Sequence, residues 1–337
     1  MNDSQFSIRP VTASNAAHVA GVFRALYGDD FPIGYVYDAD QLLAEIAGER
    51  LAAALAIDGQ GHPVGYISCY RCAPNAKLWE VGNLLVVPEY SASSLALALT
   101  DYFLQPDNLA RESNEGIVDE AVCHHYFTQV ACAKAGMVDC ALALDQLDGA
   151  SFKQHRPETA RVTCLLQFLE YSEASVPCRL PRCYDEILRR VLGQLAPRRL
   201  LTADAPLPGA GETVGSDDWW EAAGAWRVSV SRIGGDWGEY LDRLLGEARA
   251  RRAVSLQVVL NSDQPCLDAA VEAMRRRGFF LGGLFPRWFG ADGIMLQQLF
   301  GQPPDFAGIK LYGRTAKELR EYIEADWTSV ASRAVRQ

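Results

Sequence analysis

The sequence predicts an α/β protein, or α+β by the stricter convention, in which mixed, mostly antiparallel sheets are flanked by helices. Segments with the two-residue period of strands alternate along the chain with segments that have the spacing of amphipathic helices. One order of elements, strand, helix, glycine, strand, occurs at Glu120–Leu144 and again at Gln257–Leu284. Internal repetition of this kind indicates two similar units. A chain of 337 residues is also long enough for two domains with separate cores.

Composition and charge restrict the class of protein. The chain is 49% apolar and 22% charged, which is ordinary for a globular protein. Its net charge is −10 and its pI is about 5.1. Because nucleic-acid binding needs a basic face, we expect no nucleic-acid partner. A small neutral or cationic substrate suits this charge better.

The sequence also carries expectations about the compartment. Its N-terminal segment lacks the basic and apolar regions of a signal peptide, and no run of about 18 apolar residues occurs, so no membrane span is expected. Nine cysteines, an odd number, are scattered along the chain. This usage is typical of reduced thiols in a cytoplasmic protein.

The first 70 residues predict one strand, two helices and a hairpin. The strand covers Phe6–Val11, the helices cover Ala13–Tyr27 and Tyr35–Ala47, and the hairpin strands cover Leu51–Ile57 and Val64–Tyr70. The connection Asp58–Pro63 contains Gly59 and Gly61, which favour a tight turn.

The segment Trp79–Leu104 predicts a strand, a short turn and a helix, and the rest of the first half is organised around it. Alternate residues from Trp79 to Val87 predict a strand, which should stop at Pro88 because proline has no N–H to donate. The hydroxyls of Ser91, Ser93 and Ser94 are candidate helix caps. A helix that starts here presents free N–H groups and a positive dipole end, which together favour an anion.

The remainder of the chain continues the alternation. Strands are predicted at Val118–Cys123, Cys140–Leu147, Arg161–Tyr171, Trp226–Ile233, Val254–Leu260 and Phe279–Leu284. Helices are predicted at Tyr126–Ala135, Cys178–Leu195, Gly234–Arg252, Pro265–Arg277 and Lys317–Trp327. The prolines and glycines of Ala203–Asp218 predict a long surface loop. We place the domain boundary near Ser172–Cys178, which gives domains 1–172 and 173–337.

The end of the central strand resembles the acyl-CoA-binding region of the GNAT acyltransferase superfamily. Val86, Pro88 and Tyr90 match the V-x-P-x-aromatic strand end of that family. The family's next loop, Arg/Gln-x-x-Gly-x-Gly/Ala, holds the cofactor pyrophosphate with its amides. Here Ser91 replaces the basic or amide residue, and Ser94 and Ala96 stand where glycines are usual. The resemblance implies that acetyl-CoA or another acyl-CoA binds, as co-substrate, at Leu85, Val86, Val87, Ser91, Ala92, Ser93, Ser94, Leu95 and Ala96.

Two further segments resemble a bacterial GNAT-related subgroup that has a complete first unit and a degenerate second unit. Arg275–Leu299 resembles the segment that closes the second unit, and Glu120–Gly136 resembles a V…H…Q…G segment of the first unit. Their order implies tandem GNAT-like units, of which 1–172 binds acyl-CoA. In the second unit, Asp236 at the start of a helix is expected to act as a cap and to exclude a phosphate.

The resemblance implies an acyltransferase that moves an acetyl or other acyl group to a small-molecule amine or a similar nucleophile. Glu80 is then the candidate general base on the acceptor amine. The tyrosine that serves the family as general acid is replaced by Cys132, so His125 and Tyr126, with His124 beside them, are candidate proton donors. Each of these residues also has a purely structural interpretation. Glu80 would then lie on a solvated strand face, and the histidines would cap the helix or form hydrogen bonds with the loop.

The sequence is also compatible with other functions. The missing glycines and tyrosine favour a non-catalytic protein that binds acyl-CoA, or a partner, through a degenerate GNAT fold. A metal-dependent enzyme using Cys123, His124 and His125 is a weaker alternative. Cys69-x-x-Cys72 lacks the second pair that structural zinc needs, so buried thiols and no metal are expected there. No oligomeric state is predicted.

Overall fold

The computed structural model describes residues 6–29, 31, 33–91, 93–105, 108–109, 114–151 and 160–334. The strands of this part are β1 (Phe6–Pro10), β2 (Leu51–Asp58), β3 (Pro63–Tyr70), β4 (Leu78–Val86), β5 (Gly116–Val122), β6 (Val138–Asp148), β7 (Arg161–Glu170), β8 (Pro177–Arg179), β9 (Arg199–Leu201), β10 (Val214–Trp220), β11 (Ala225–Arg232), β12 (Ser255–Asn261), β13 (Phe280–Phe289) and β14 (Ala291–Leu299). The α-helices are α1 (Val19–Tyr27), α2 (Ala39–Ala47), α3 (Leu95–Leu104), α4 (Phe127–Lys134), α5 (Asp185–Leu192), α6 (Trp237–Ala250), α7 (Leu267–Arg275) and α8 (Arg314–Ala334).

The chain packs into two compact units. The first comprises Met1–Cys72 and Ala76–Asp119, and the second comprises Ala73–Asn75 and Glu120–Gln337. Strand β5 therefore begins in the first unit and ends in the second. This division follows packing, whereas the boundary expected near residue 172 separates two similar stretches of sequence, and that boundary stays a prediction.

The first unit is a sheet covered by helices on both faces. Its strand order is β1-β2-β3-β4-β5, and the pairing is antiparallel up to β4 and parallel between β4 and β5. Phe23 of α1 packs on Tyr66 of β3 with ring centroids 5.1 Å apart. Leu95 and Leu99 of α3 lie against the adjacent Gly65. Because neighbouring residues of a strand face opposite sides, α1 and α3 cover opposite faces.

The second unit has a larger sheet. The end of β5 is followed by strands in the order β7-β6-β13-β14-β12-β11-β10, and β8 and β9 form a separate parallel pair. Helix α8 packs on β6 and β13. Asp139 of β6 fixes the start of α8, since its Oδ2 accepts a hydrogen bond from the Ala316 N–H at 3.3 Å. Gly313 is needed there because a side chain would meet the Asp139 carboxylate.

The predicted repeat of strand, helix, glycine and strand is present in the structure. Gly136 after α4 and Gly278 after α7 have φ values of +84° and +93°, which favour glycine. In the first copy β7 lies between β5 and β6, and in the second copy β14 lies between β12 and β13. The two stretches therefore share their strand order as well as their order along the chain.

Several predicted elements differ from the structure. The expected loop Ala203–Asp218 contains most of β10, whose residues are largely exposed and therefore show no apolar alternation. The expected helix Cys178–Leu195 is strand β8 followed by the shorter helix α5. The closing helix α8 is 21 residues long and extends beyond Lys317–Trp327 at both ends. Within the described residues, no helix combines the length and apolar character needed to cross a membrane.

Candidate functional site

In the first unit, strand β4 leaves its parallel partner part-way along its length. Parallel pairing joins Leu78–Val81 to Gly116–Asp119, and β4 then continues to Val86. Against β3, β4 carries one extra residue between Gly82 and Leu85, which is a β-bulge. Asn83 adopts φ +51° at this bulge. Its Nδ2 donates to the Ser68 Oγ at 3.0 Å.

The bulge corrects one expectation from the sequence. Alternation was expected to continue from Trp79 to Val87, but the extra residue at Asn83 interrupts it. A bulge bends the strand and increases its twist. The bend redirects the end of β4 toward the turn that leads into α3.

Glu80 lies in the paired part of β4 and is half-buried. Tyr70 is directly opposite it on β3, and the Tyr70 hydroxyl donates to the Glu80 Oε1 at 2.6 Å. The Tyr70 ring crosses Gly82, where a Cβ atom would come within 3.0 Å of the ring. Directly opposed residues share a face, so Glu80, Tyr70 and Ser68 lie on the sheet face that α1 covers. The hydrogen bond from Tyr70 therefore fixes the position of the half-buried Glu80 carboxylate.

The turn between β4 and α3 is closed by its own hydrogen bonds. The Ser91 N–H donates to the Pro88 carbonyl at 3.2 Å, and the Ser93 N–H donates to the Tyr90 carbonyl at 2.9 Å. The Ser93 Oγ accepts a hydrogen bond from the Leu95 N–H at 3.2 Å. Ser94 stands at the N-cap position but forms no side-chain cap, so Ser93 caps α3. Ala92, also predicted to bind cofactor, lies outside the described residues.

Helix α3 is held close to the sheet by its buried residues Leu95, Leu99 and Phe103. A side chain at Gly65 would collide with Leu99, so this glycine sets the distance between helix and strand. The stretch from Val87 to Gln105 contains no lysine, arginine or histidine. Any attraction for an anion on this stretch therefore comes from backbone N–H groups and the helix dipole.

His125 and Tyr126 lie in the second unit, immediately before α4. Tyr126 is 46% exposed, and the His125 ring lies 4.8 Å from the Phe127 ring. Gln129 fixes this start of α4, because its buried side-chain amide donates to the His125 and Lys310 carbonyls at 3.1 and 2.9 Å. Glu80, by contrast, belongs to the first unit.

Of the thiols considered as metal ligands, Cys69 and Cys123 are buried, whereas Cys72 is half-buried. Burial raises the pKa of the Cys69 thiol well above its ordinary value, and it also raises the pKa of Cys123. Burial therefore disfavours the thiolate form of both side chains. In the described part of the chain, no group of three or more histidine, cysteine, aspartate or glutamate residues has the geometry to hold a metal ion.

The corresponding helix start in the second unit is filled by the chain itself. A Cβ atom at Gly234 would lie 2.4–2.6 Å from the backbone of Gly211–Thr213, and one at Gly235 would lie 2.7 Å from Ala210. The Asp236 carboxylate accepts from the Thr213 N–H and hydroxyl, both at 2.7 Å. Hydrogen bonding from Thr213 lowers the pKa of Asp236. Asp236 stands at the N-cap position of α6, as expected, but its side chain makes no capping hydrogen bond.

Tyr70 and Asn83 are the site residues that sequence reasoning missed. Tyr66, Ser68 and Tyr70 alternate along β3, which signals one polar face, but the partner strand and its register are not visible in the sequence. Asn tolerates the left-handed conformation better than most residues, yet Asn83 fits an uninterrupted strand equally well.

No family model and no curated protein matches the chain. Among solved structures, it is similar to the spermidine N-acetyltransferase of Vibrio cholerae in complex with CoA and spermine, with 11% identity, a TM-score of 0.39, and coverage of 50% of this chain and 96% of that one. It is similar to the ribosomal-protein-S18-alanine N-acetyltransferase of Escherichia coli, with 14% identity, a TM-score of 0.38, and coverage of 50% and 96%. A GNAT-family acetyltransferase structure from Desulfovibrio desulfuricans gives 17% identity, a TM-score of 0.37, and coverage of 49% and 98%. The aligned region covers about half of this chain in each case.

Proposed function

We propose that this protein is an acyltransferase that moves an acetyl or other acyl group from acyl-CoA to a small-molecule amine or a similar nucleophile. The observation that supports this most is the course of β4. Its parallel pairing ends at Val81 and Asp119, it bulges at Asn83, and it leads through a short turn into α3. Ligands of sheets with parallel strands bind beyond the carboxyl ends of those strands. The start of α3 can attract a pyrophosphate there.

In this proposal the chemistry uses the carboxylate of Glu80. An acceptor ammonium first loses a proton to Glu80, and the free amine then attacks the thioester carbonyl. The carbon–sulfur bond breaks, and the leaving thiolate takes a proton to become the thiol of CoA. The hydrogen bond from Tyr70 orients the Glu80 carboxylate for the first step.

Hydrogen bonds within the turn guide our choice of the amides for the pyrophosphate. The N–H groups of Ser91, Ser93 and Leu95 already donate within the turn. We therefore assign the anion first to the N–H groups of Ser94 and Ala96, and the acyl-CoA arm to the backbone of Leu85–Val87.

We further propose that the chain contains tandem GNAT-like units, with domains 1–172 and 173–337, and that the second does not bind cofactor. Support comes from the shared strand order of the two repeats. Each proposed domain also has three neighbouring strands in which an antiparallel pair is followed by a parallel pair. These strands are β3, β4 and β5 in the first domain and β10, β11 and β12 in the second. The backbone packed on Gly234 and Gly235 leaves no space for a phosphate.

One observation favours a second candidate, a non-catalytic protein that binds acyl-CoA or a partner. The turn before α3 is satisfied by internal hydrogen bonds, and it has neither the glycines nor the basic residue of the family pattern. A protein of this kind would bind acyl-CoA without transferring its acyl group to any amine.

Acyl-CoA is expected to raise the melting temperature of the protein by several degrees. A ligand at about 100 times its dissociation constant adds about 2.7 kcal/mol, and a chain of this size gains about 2–4 °C per kcal/mol. The measurement is a thermal melt with acetyl-CoA, a longer acyl-CoA and free CoA, each against an equal concentration of ATP. If none of the three moves the melting curve at millimolar concentration, the cofactor assignment is wrong.

Calorimetric titration is expected to give one CoA per chain, and Ser94→Asp is expected to abolish binding. A carboxylate at this N-cap would lie beside the amides that attract the pyrophosphate, and its negative charge would repel the pyrophosphate. Ser94→Asn is the matched control, because asparagine has the same shape without the charge and is a good N-cap residue. Two equivalents per chain, or equal binding by Ser94→Asp and Ser94→Asn, would place the cofactor elsewhere.

A further inference from the structure

The second unit contains a polar pocket that the proposed acyl transfer does not use. Its volume is about 150 Å³, and it opens to solvent beside Gln302 and Asp305. The polar residues that line it are His124, Asp145, Arg161, Thr163, Gln302 and Asp305. Among the described residues of the lining there are two carboxylates, Asp145 and Asp305, and one guanidinium, Arg161, and this balance favours a cationic ligand.

Asp145 occupies a strained position in the wall of this pocket. Ala143 of β6 lies opposite Cys164 of β7, and Leu147 of β6 lies opposite Val162. Between these two pairs, three residues of β6 therefore face one residue of β7. Within this bulge Asp145 adopts φ +52°, a left-handed conformation that costs free energy for a residue other than glycine. Strained residues of this kind persist where the surrounding structure holds them, and they cluster at ligand sites.

The Asp145 carboxylate has no hydrogen-bond donor among the described residues. Burial raises the pKa of this carboxylate. The Arg161 charge lowers that pKa, and the Asp305 charge raises it further. The Arg161 Nη2 is directed elsewhere, because it donates to the carbonyls of Asp145 and Ala223, both at 2.6 Å. Asp305 accepts from the Gly308 N–H at 3.1 Å. A half-buried carboxylate without a donor is costly unless a cation reaches it.

We infer that this pocket binds a small organic cation, such as a primary ammonium ion, whose N–H groups donate to the carboxylate of Asp145. Asp305 at the rim supplies a second negative charge, and the Thr163 hydroxyl and the Gln302 amide are further acceptors in the lining. The volume of about 150 Å³ is large enough for a small organic ligand, since about 10–15 Å³ on this measure holds one water molecule.

The test is a calorimetric titration of the full chain with ethylammonium chloride, at constant ionic strength and without CoA. Ethanol is the uncharged ligand of the same shape, and tetramethylammonium is a cation without N–H donors. We expect saturable binding of one ethylammonium per chain and weaker or no binding of the other two. Because CoA is absent, the result does not depend on the proposed acyl transfer.

Asp145→Asn is expected to weaken ethylammonium binding about tenfold or more, as loss of a charged hydrogen-bond acceptor does. The variant should fold, since asparagine adopts left-handed φ values readily. Asp305→Asn, which can still accept the Gly308 N–H, is a second variant and is expected to weaken binding less. Glu173→Gln is the charge-matched control, since Glu173 is exposed and outside the pocket.

Three results would overturn the inference. The first is the absence of saturable ethylammonium binding up to the millimolar range. The second is binding of ethanol with similar affinity. The third is undiminished binding by both Asp145→Asn and Asp305→Asn, with circular dichroism showing both to be folded.

Discussion

Replacing Glu80 with glutamine is expected to slow acyl transfer about 10²–10⁴-fold, the usual range for removal of a general base. Glutamine keeps the shape of the side chain and can still accept the hydrogen bond from Tyr70, so the strand pairing of β3 and β4 should be retained. CoA binding should be nearly unchanged, because the cofactor residues we assign lie beyond the bulge at Asn83. The measurement is the release of free CoA with a panel of amines, together with calorimetric binding of CoA.

Two variants separate a catalytic role of Glu80 from a structural one. Tyr70→Phe removes the donor to Glu80 and should reduce turnover about tenfold, since hydrogen bonds to charged groups contribute about 1.5–3 kcal/mol. Asp101→Asn removes an exposed carboxylate of α3 and should leave turnover unchanged. Full activity of Glu80→Gln would assign the proton acceptor to another residue.

The elements that could be predicted are those in which burial leaves a pattern. Strands β11 and β12 and helices α6 and α7 bury one face or both, so their apolar residues follow the period of the element. Strand β10 buries almost nothing and is held by its backbone pairing with β11. Its sequence therefore could not be distinguished from a loop.

The candidate site was predictable in part for a similar reason. The strand, turn and helix around Pro88 have local signals in the sequence. The contact of Tyr70 with Glu80 depends on the register between two strands, and the course of β4 depends on a bulge at Asn83. Which amides of the turn stay available depends on the hydrogen bonds that the N–H groups of Ser91, Ser93 and Leu95 donate within it. None of these tertiary features has a sequence pattern of its own.

The same limit applies to a buried charge network in the second unit that sequence reasoning did not find. Arg198 binds Asp292 through two hydrogen bonds, at 2.8 and 3.1 Å. It also pairs with Glu170 at 2.9 Å, and Glu170 pairs in turn with Arg287. The four side chains are each at most 7% exposed. Their positions are 170, 198, 287 and 292, so only the fold brings them together.

Removing one charge from this network is expected to destabilise the protein strongly. Asp292→Ala leaves the Arg198 guanidinium buried without its bidentate partner, which costs about 3–5 kcal/mol. It also removes the acceptor for the Arg287 N–H, which donates to the Asp292 Oδ1 at 2.9 Å. The measurement is the free energy of unfolding from urea denaturation, accompanied by thermal melts.

Two controls give this result its meaning. Glu186→Ala breaks the exposed pair between Arg190 and Glu186, whose side chains are 54% and 81% exposed. It should change stability by less than about 1 kcal/mol, because surface ion pairs contribute little. The double variant Arg198→Met with Asp292→Leu removes both members of the pair and should recover much of the loss, since apolar replacement of a buried pair is often neutral. If Asp292→Ala costs no more than Glu186→Ala, water reaches Arg198 and the network is not a buried one.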